Sequence, residues 1–135
     1  MAEAAAAPDE SSWLDWPRAL AIVDGDVPLL EHLIDVFLTQ YRQTTAHLRE
    51  AVHQDDWTLV RRLAHQLAGS AGAIGAVELE RLARAADAAV RAVIEGPVSA
   101  DLREQSLVAV GALVNRLEWT LTRAASWRGG AETGG

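Results

Sequence analysis

The sequence has no cysteine, so neither a disulfide nor a thiolate metal site can belong to its architecture. It has no apolar run near the ~18 residues that a membrane span requires. Its opening, MAEAAAAPDESS, lacks both the basic n-region and the leucine-rich stretch of a secretory signal. Positive charge is in short supply. With 12 basic against 19 acidic residues the formal charge is −7, the wrong sign for holding a phosphate backbone or an anionic membrane through a general field. Period-two alternation is missing, which argues against half-buried strands. Apart from five tryptophans, the aromatics come down to one Phe and one Tyr. What is there is a chain of 135 residues, half of them hydrophobic, enough for one domain with one core and expected to be soluble and cytoplasmic.

Residues 1–12 and the tail RGGAETGG (128–135) are poor in large apolar groups and are expected to be disordered, leaving a domain over 13–127. WLDWPRALAIVDGD predicts a short helix that stops near Gly25. Asp26 then caps a long helix with Pro28 in its first turn. Its Leu29, Leu30, Leu33, Phe37, Tyr41, Leu48 and Val52 keep the spacing of one face as far as about His53. Asp55 or Asp56 caps the next helix, which turns Trp57, Val60, Leu63, Ala64, Leu67, Ala71 and Ile74 inward and ends at Gly75. A further helix with Leu79, Leu82, Ala86, Val90 and Val93 stops at Gly96-Pro97, and Ser99 caps the last, over roughly 100–126. Four long amphipathic helices with short connections predict an all-α, antiparallel up-down four-helix bundle, with the short additional N-terminal helix packed against one end.

The stretch AHQLAGSAGAIGA (64–76) sets Gly69, Gly72 and Gly75 shortly after His65, although each interior glycine costs a helix about 1 kcal/mol relative to alanine. At about 100° per residue, Arg61, Arg62, Ala68, Gly69 and Gly72 share the face of His65, with Thr58 a turn farther away. None is a large hydrophobe. His65 is therefore placed on the outer face, opposite the Val60–Ala64–Leu67 stripe. A surface histidine is ordinarily no more than a solvated side chain. Side chains at i+3 and i+4 lean back toward the helix N-terminus, however, and would cover the imidazole. Stripping them bares a patch on the C-terminal side of the ring, open to close approach by another molecule.

RRLAHQLAGSAGAIGAVEL resembles the motif of histidine-containing phosphotransfer (HPt) domains, H-x-L-K-G-S followed by small residues, G-A and a leucine. VDGDVPLLEHLIDVFL and LREAVHQDDWTLVRRLAH resemble the same family's second helix and the approach to its third, so that the resemblance spans about 13–123. It implies that His65 accepts a phosphoryl group from a phospho-aspartate receiver domain and passes it to another, as a phosphorelay intermediate of a two-component system. The partners it implies are response-regulator receiver domains or a hybrid histidine kinase, with no cofactor on this chain and Mg²⁺ on the receiver. Neutral imidazole, with an ordinary pKa near ~6.5, suits the task. Phosphoryl transfer is mostly positioning and electrostatics, which the receiver brings. GSAGAIG is neither G-x-G-x-x-G nor a P-loop, so no autonomous kinase activity is expected.

One position departs from the family. Where a lysine usually follows the histidine by three residues, this chain has Ala68. Arg61 and Arg62 share the face of His65 but lean toward the helix N-terminus, away from the ring. The expected site is thus His65 as phosphoacceptor, with Arg61, Arg62, Ala68, Gly69 and Gly72 supporting it or docking a partner. The departure also admits an alternative, a degenerate HPt-like interaction module that binds a receiver or kinase without transferring phosphate.

Other features read as structural. Glu50 and His53 have the Glu-x-x-His spacing of di-iron bundles, but a second copy and two further inward glutamates are missing, so no metal is expected. His32, His47 and His53 read as solvated, and Arg81, Arg84 and Arg91, alternating with acids, as a solvated face. The tryptophans read as core and helix-end packing, with Trp13 and Trp16 alternatively placed to help a partner dock. HQLAGS lacks the acid and the proline that follow the phosphoacceptor of kinase dimerisation domains. A monomer without nucleic-acid or membrane partners is expected, and Met1 with the loose ends favours a free-standing protein.

Overall fold

Most helices begin where a short polar side chain meets their unpaired amides. The computed structural model describes residues 13–97 and 99–134, with side chains as far as Trp127. The expected disorder of residues 1–12 lies outside that range. Helix α1 is Trp16–Ile22, α2 is Val27–Tyr41, α3 is Thr44–His53, α4 is Trp57–Ala73, α5 is Val77–Glu95 and α6 is Ala100–Gly134, with no strand among the described residues. Asp15, Asp26, Asp56 and Ser99 each accept the amide three residues on, at 3.1 Å, at the starts of α1, α2, α4 and α6. Asp56 is thus the cap of α4, while Asp55 sits at φ 54° and receives Arg103 at 2.8 Å.

Two boundaries differ from the sequence reading. The helix expected to run unbroken to His53 is interrupted at Arg42–Gln43, where Gln43 leaves helical geometry (φ −108°, ψ 6°) ahead of the buried, β-branched Thr44 and Thr45. A two-residue turn leaves the apolar spacing in step, so periodicity reads straight across it. At the other end, α6 continues past the expected stop near residue 126 as far as Gly134. No proline stops it, and Gly129 and Gly130 weaken a helix without forbidding one.

α4 packs on α5, α5 on α6, and the α2–α3 arm closes the ring against α6 and α4, giving an up-down four-helix bundle with α1 at one end. Leu30, Ile34, Leu48, Leu67, Leu79 and Leu113 are among its fully buried side chains. The α4–α5 seam is built differently, from buried Ala64, Ala68, Ala71, Ala83 and Ala86. Small side chains let two helix axes approach closely, which brings the polar residues flanking the seam within reach of one another.

Hydroxyl bonds add register. Tyr41 at the end of α2 donates to the Gln66 carbonyl (3.2 Å) and shares a 2.6 Å bond with Ser70, while Ser106 of α6 donates to the Ala89 carbonyl of α5. Trp13, Trp16 and Trp127 pack edge-on or tilted against one another at centroid distances of 5.2–6.2 Å and hold α1 against the bundle end, as expected of helix-end packing. Gly75 closes α4 at φ 81°, with Gly75 and Ala76 amides donating to Gly72 and Ala71 carbonyls. Its carbonyl accepts the Asp15 amide at 2.8 Å, and a Cβ on it would come within 3.0 Å of Ala19. The glycine therefore serves both the turn and the docking of α1.

Candidate functional site

His65 stands on α4 with its side chain 71% exposed. Its Nδ1 lies 3.1 Å from Oδ2 of Asp87 on α5, a residue only 8% exposed. An ionised carboxylate can only accept, so in the neutral imidazole this contact assigns the proton to Nδ1 and leaves the lone pair on Nε2, on the far side of the ring. Asp87 also faces Arg61 Nε at 3.4 Å and an Arg91 terminal nitrogen at 3.6 Å. Partial burial of a carboxylate demands such partners, and here one of them is the imidazole.

The sequence reading had no role for Asp87. Its signal was present: Asp87 follows Ala83 by four residues and precedes Val90 by three, which places a carboxylate on the buried stripe of α5. Reading the arginines of that helix as one solvated face concealed it. Arg81 and Arg84 do form surface pairs with Glu78 and Glu80, and the Arg81 hydrogen bond holds the Glu78 carboxyl below its usual range against the opposing effect of burial. Arg91 instead turns to Asp87.

Gly69 is open: a Cβ placed there would meet nothing within 4 Å. Gly72 is not, because its Cβ would lie 3.1 Å from the carboxyl of Glu80. His65 and Gly72 on α4 are two turns apart, as are Asp87 and Glu80 on the antiparallel α5, so the same register that brings Asp87 to the ring fills the space over Gly72. Ala68 is no part of a bare surface either. It is 3% exposed, on the flank of α4 turned to α5, and a lysine there would have to thread its stem out of the alanine seam.

The two arginines and the ring border the same space. Thr58, Arg61, Arg62, His65 and Gln66 line one open hollow of about 390 Å³. The His65 side chain leans toward the helix N-terminus just as its neighbours do, so the imidazole lies over the turn from which Arg61 and Arg62 project. Neither the Glu50–His53 pair nor any other group of three or more metal-ligating side chains forms a candidate metal site among the described residues. No helix among them is long and apolar enough to cross a membrane.

The described residues thus form an up-down helical bundle that presents, beside the α4–α5 seam, a solvent-facing histidine oriented by a carboxylate. The family model described as Hpt domain matches residues 32–127, and the chain belongs to that family. Membership implies a histidine phosphotransfer role in two-component signalling, with receiver domains or kinases as partners. Searches of curated proteins and of solved structures gave no match.

Proposed function

We propose that the protein is a phosphorelay intermediate, in which His65 takes a phosphoryl group from the phospho-aspartate of one receiver domain and gives it to another. The observation that carries this reading is a ring whose Nδ1 is engaged by Asp87 while its Nε2 is open. The Nε2 lone pair attacks phosphorus, the bond from phosphorus to the aspartyl oxygen breaks, and the carboxylate leaves with the bonding electrons. The ring keeps its Nδ1 proton and becomes cationic. Asp87 thus faces more positive charge after attack than before, and an interaction that strengthens along the reaction is the kind that lowers a barrier. The reverse sequence delivers the group to the second receiver, and Mg²⁺ on the receiver offsets the phosphoryl charge.

Docking falls naturally across α2 and α4. Beside the His65 face, Leu33, Val36, Phe37, Ala73 and Ile74 line a shallow apolar groove with Gln40 and Ser70, and Val36 is 46% exposed. Such a surface can be covered by a partner without desolvating charge.

Asp87→Asn retains an acceptor for Nδ1 but loses the charge that answers the cationic ring. A hydrogen bond to a charged partner is worth about 1–1.5 kcal/mol more than one between neutral groups, so the rate of transfer from a phospho-receiver is expected to fall about tenfold. Rapid-quench measurement of that rate, beside a melting curve of the variant, checks it. An unchanged rate would leave Asp87 a merely structural partner.

The function itself is tested by incubating the protein with phosphorylated receiver domains and scoring acid-labile, base-stable label on this chain. Label is expected from at least one receiver and none from ATP and Mg²⁺ alone. A receiver that binds tightly yet transfers nothing in either direction would establish the degenerate interaction module instead.

A further inference from the structure

A phosphoryl group on Nε2 brings up to two negative charges to the surface of α4. Any side-chain cation of this chain that meets it is an arginine or a histidine, because the sequence contains no lysine and all 12 basic residues are arginines. Most of the arginines near the ring are engaged. Arg61 and Arg91 turn to Asp87, and Arg81 and Arg84 are held by Glu78 and Glu80. Arg62 has no ion-pair partner among the described residues, and it lines the hollow beside His65 with Thr58, Gln66 and the Asp87-bound Arg61.

The two sides of the ring are unlike. Arg61 lies on the flank of α4 that faces α5, where Nδ1 meets Asp87. Arg62 and Gln66 lie on the opposite flank, by their helical positions relative to His65, and it is toward that side that Nε2 is carried once Nδ1 is fixed. We infer that the hollow is the seat of the transferred phosphoryl group, with the Arg62 guanidinium pairing with its oxygens and the Thr58 hydroxyl and Gln66 amide completing the shell. The guanidinium fork matches phosphoryl oxygens in shape as well as charge. Arg61 has the separate task of holding Asp87, so two adjacent arginines divide the work between phosphoryl group and orienting carboxylate. This assignment rests on the reading of His65 as phosphoacceptor.

The test uses the whole chain and no receiver, so that docking does not enter the readout. His65 is phosphorylated with phosphoramidate, and the ³¹P shift of the phosphohistidine is followed against pH in the wild type and in Arg62→Ala, Arg62→Lys, Arg61→Ala and Arg84→Ala. An exposed cation beside the dianion lowers the proton affinity of the phosphoryl group, by about two- to fivefold at this site. Arg62→Ala is expected to lose that effect, raising the titration midpoint correspondingly, and Arg62→Lys to restore part of it. Arg61→Ala should move the midpoint less, and Arg84→Ala should leave it in place. A midpoint in Arg62→Ala equal to the wild type, or one moved more by Arg61→Ala, overturns the assignment while leaving the phosphoacceptor intact. Wild type that takes no phosphoryl group on His65 from phosphoramidate or from any phospho-receiver overturns the phosphoacceptor reading, and this assignment with it.

Discussion

His65→Gln takes up no label from any phosphorylated receiver domain, while its helical circular dichroism and melting midpoint match those of the wild type. The expectation separates chemistry from fold because the two reside in different atoms. The imidazole is 71% exposed and contributes a single bond, to Asp87, which retains Arg61 and Arg91 when the ring is gone. Substitution at an exposed position of this kind shifts stability by no more than about 0.5 kcal/mol. The glutamine amide, by contrast, has no lone pair on nitrogen basic enough to attack an acyl phosphate. His32, His47 and His53 remain in the variant. Label that persisted would therefore assign the acceptor to one of them and remove the basis for the roles of Asp87, Arg62 and Gly69 alike.

The helical bundle was legible because its signals are local and redundant. Asp26, Pro28, Asp56 and Ser99 through their side chains, and Gly75 through its left-handed backbone, punctuate the chain within one turn of where they stand. The inward stripe of α4 repeats often enough that no single residue decides it. The break at Arg42–Gln43 was not legible, since no glycine or proline marks it and the apolar phase survives it.

At the site, the exposed side of His65 follows from its own helix, whereas everything that depends on α5 needed the register between two helices. One register sets Asp87 against Nδ1 and Glu80 against Gly72, and it buries Ala68 in an alanine seam. A helical wheel of α4 alone cannot hold that information, because the neighbour's side chains are not on it. The same wheel puts Arg61 and Arg62 on the face of His65, but the hollow that they line with the ring is a three-dimensional feature it cannot draw. Both omissions concern the third dimension of contacts whose members are named correctly in one.

The three glycines after His65 consequently answer to different causes, and Gly69 is the one whose cause is access. Gly75 serves a left-handed turn and the approach of α1, and Gly72 makes room for Glu80. Gly69 has ordinary helical geometry, and a Cβ at that position would have nothing within 4 Å of it. Fold stability therefore gives no reason to keep it, and Gly69→Ala is expected to raise stability by up to about 1 kcal/mol. Gly69→Gln should also melt no lower than the wild type. Its side chain, however, leaves α4 one turn after His65 and leans back across the imidazole, into open space through which a receiver domain closes over the ring. In-line transfer tolerates little displacement, and misplacement by about 1 Å costs on the order of a hundredfold. We expect Gly69→Gln to lose at least that much in transfer rate from a phospho-receiver, measured beside an unaltered melting curve. Gly72→Gln should behave in the opposite sense, displacing the Glu80 carboxylate and losing stability before it obstructs the ring. Normal transfer by Gly69→Gln would mean that the receiver reaches Nε2 from the side of Arg62 alone, and that the glycine is not there to admit it.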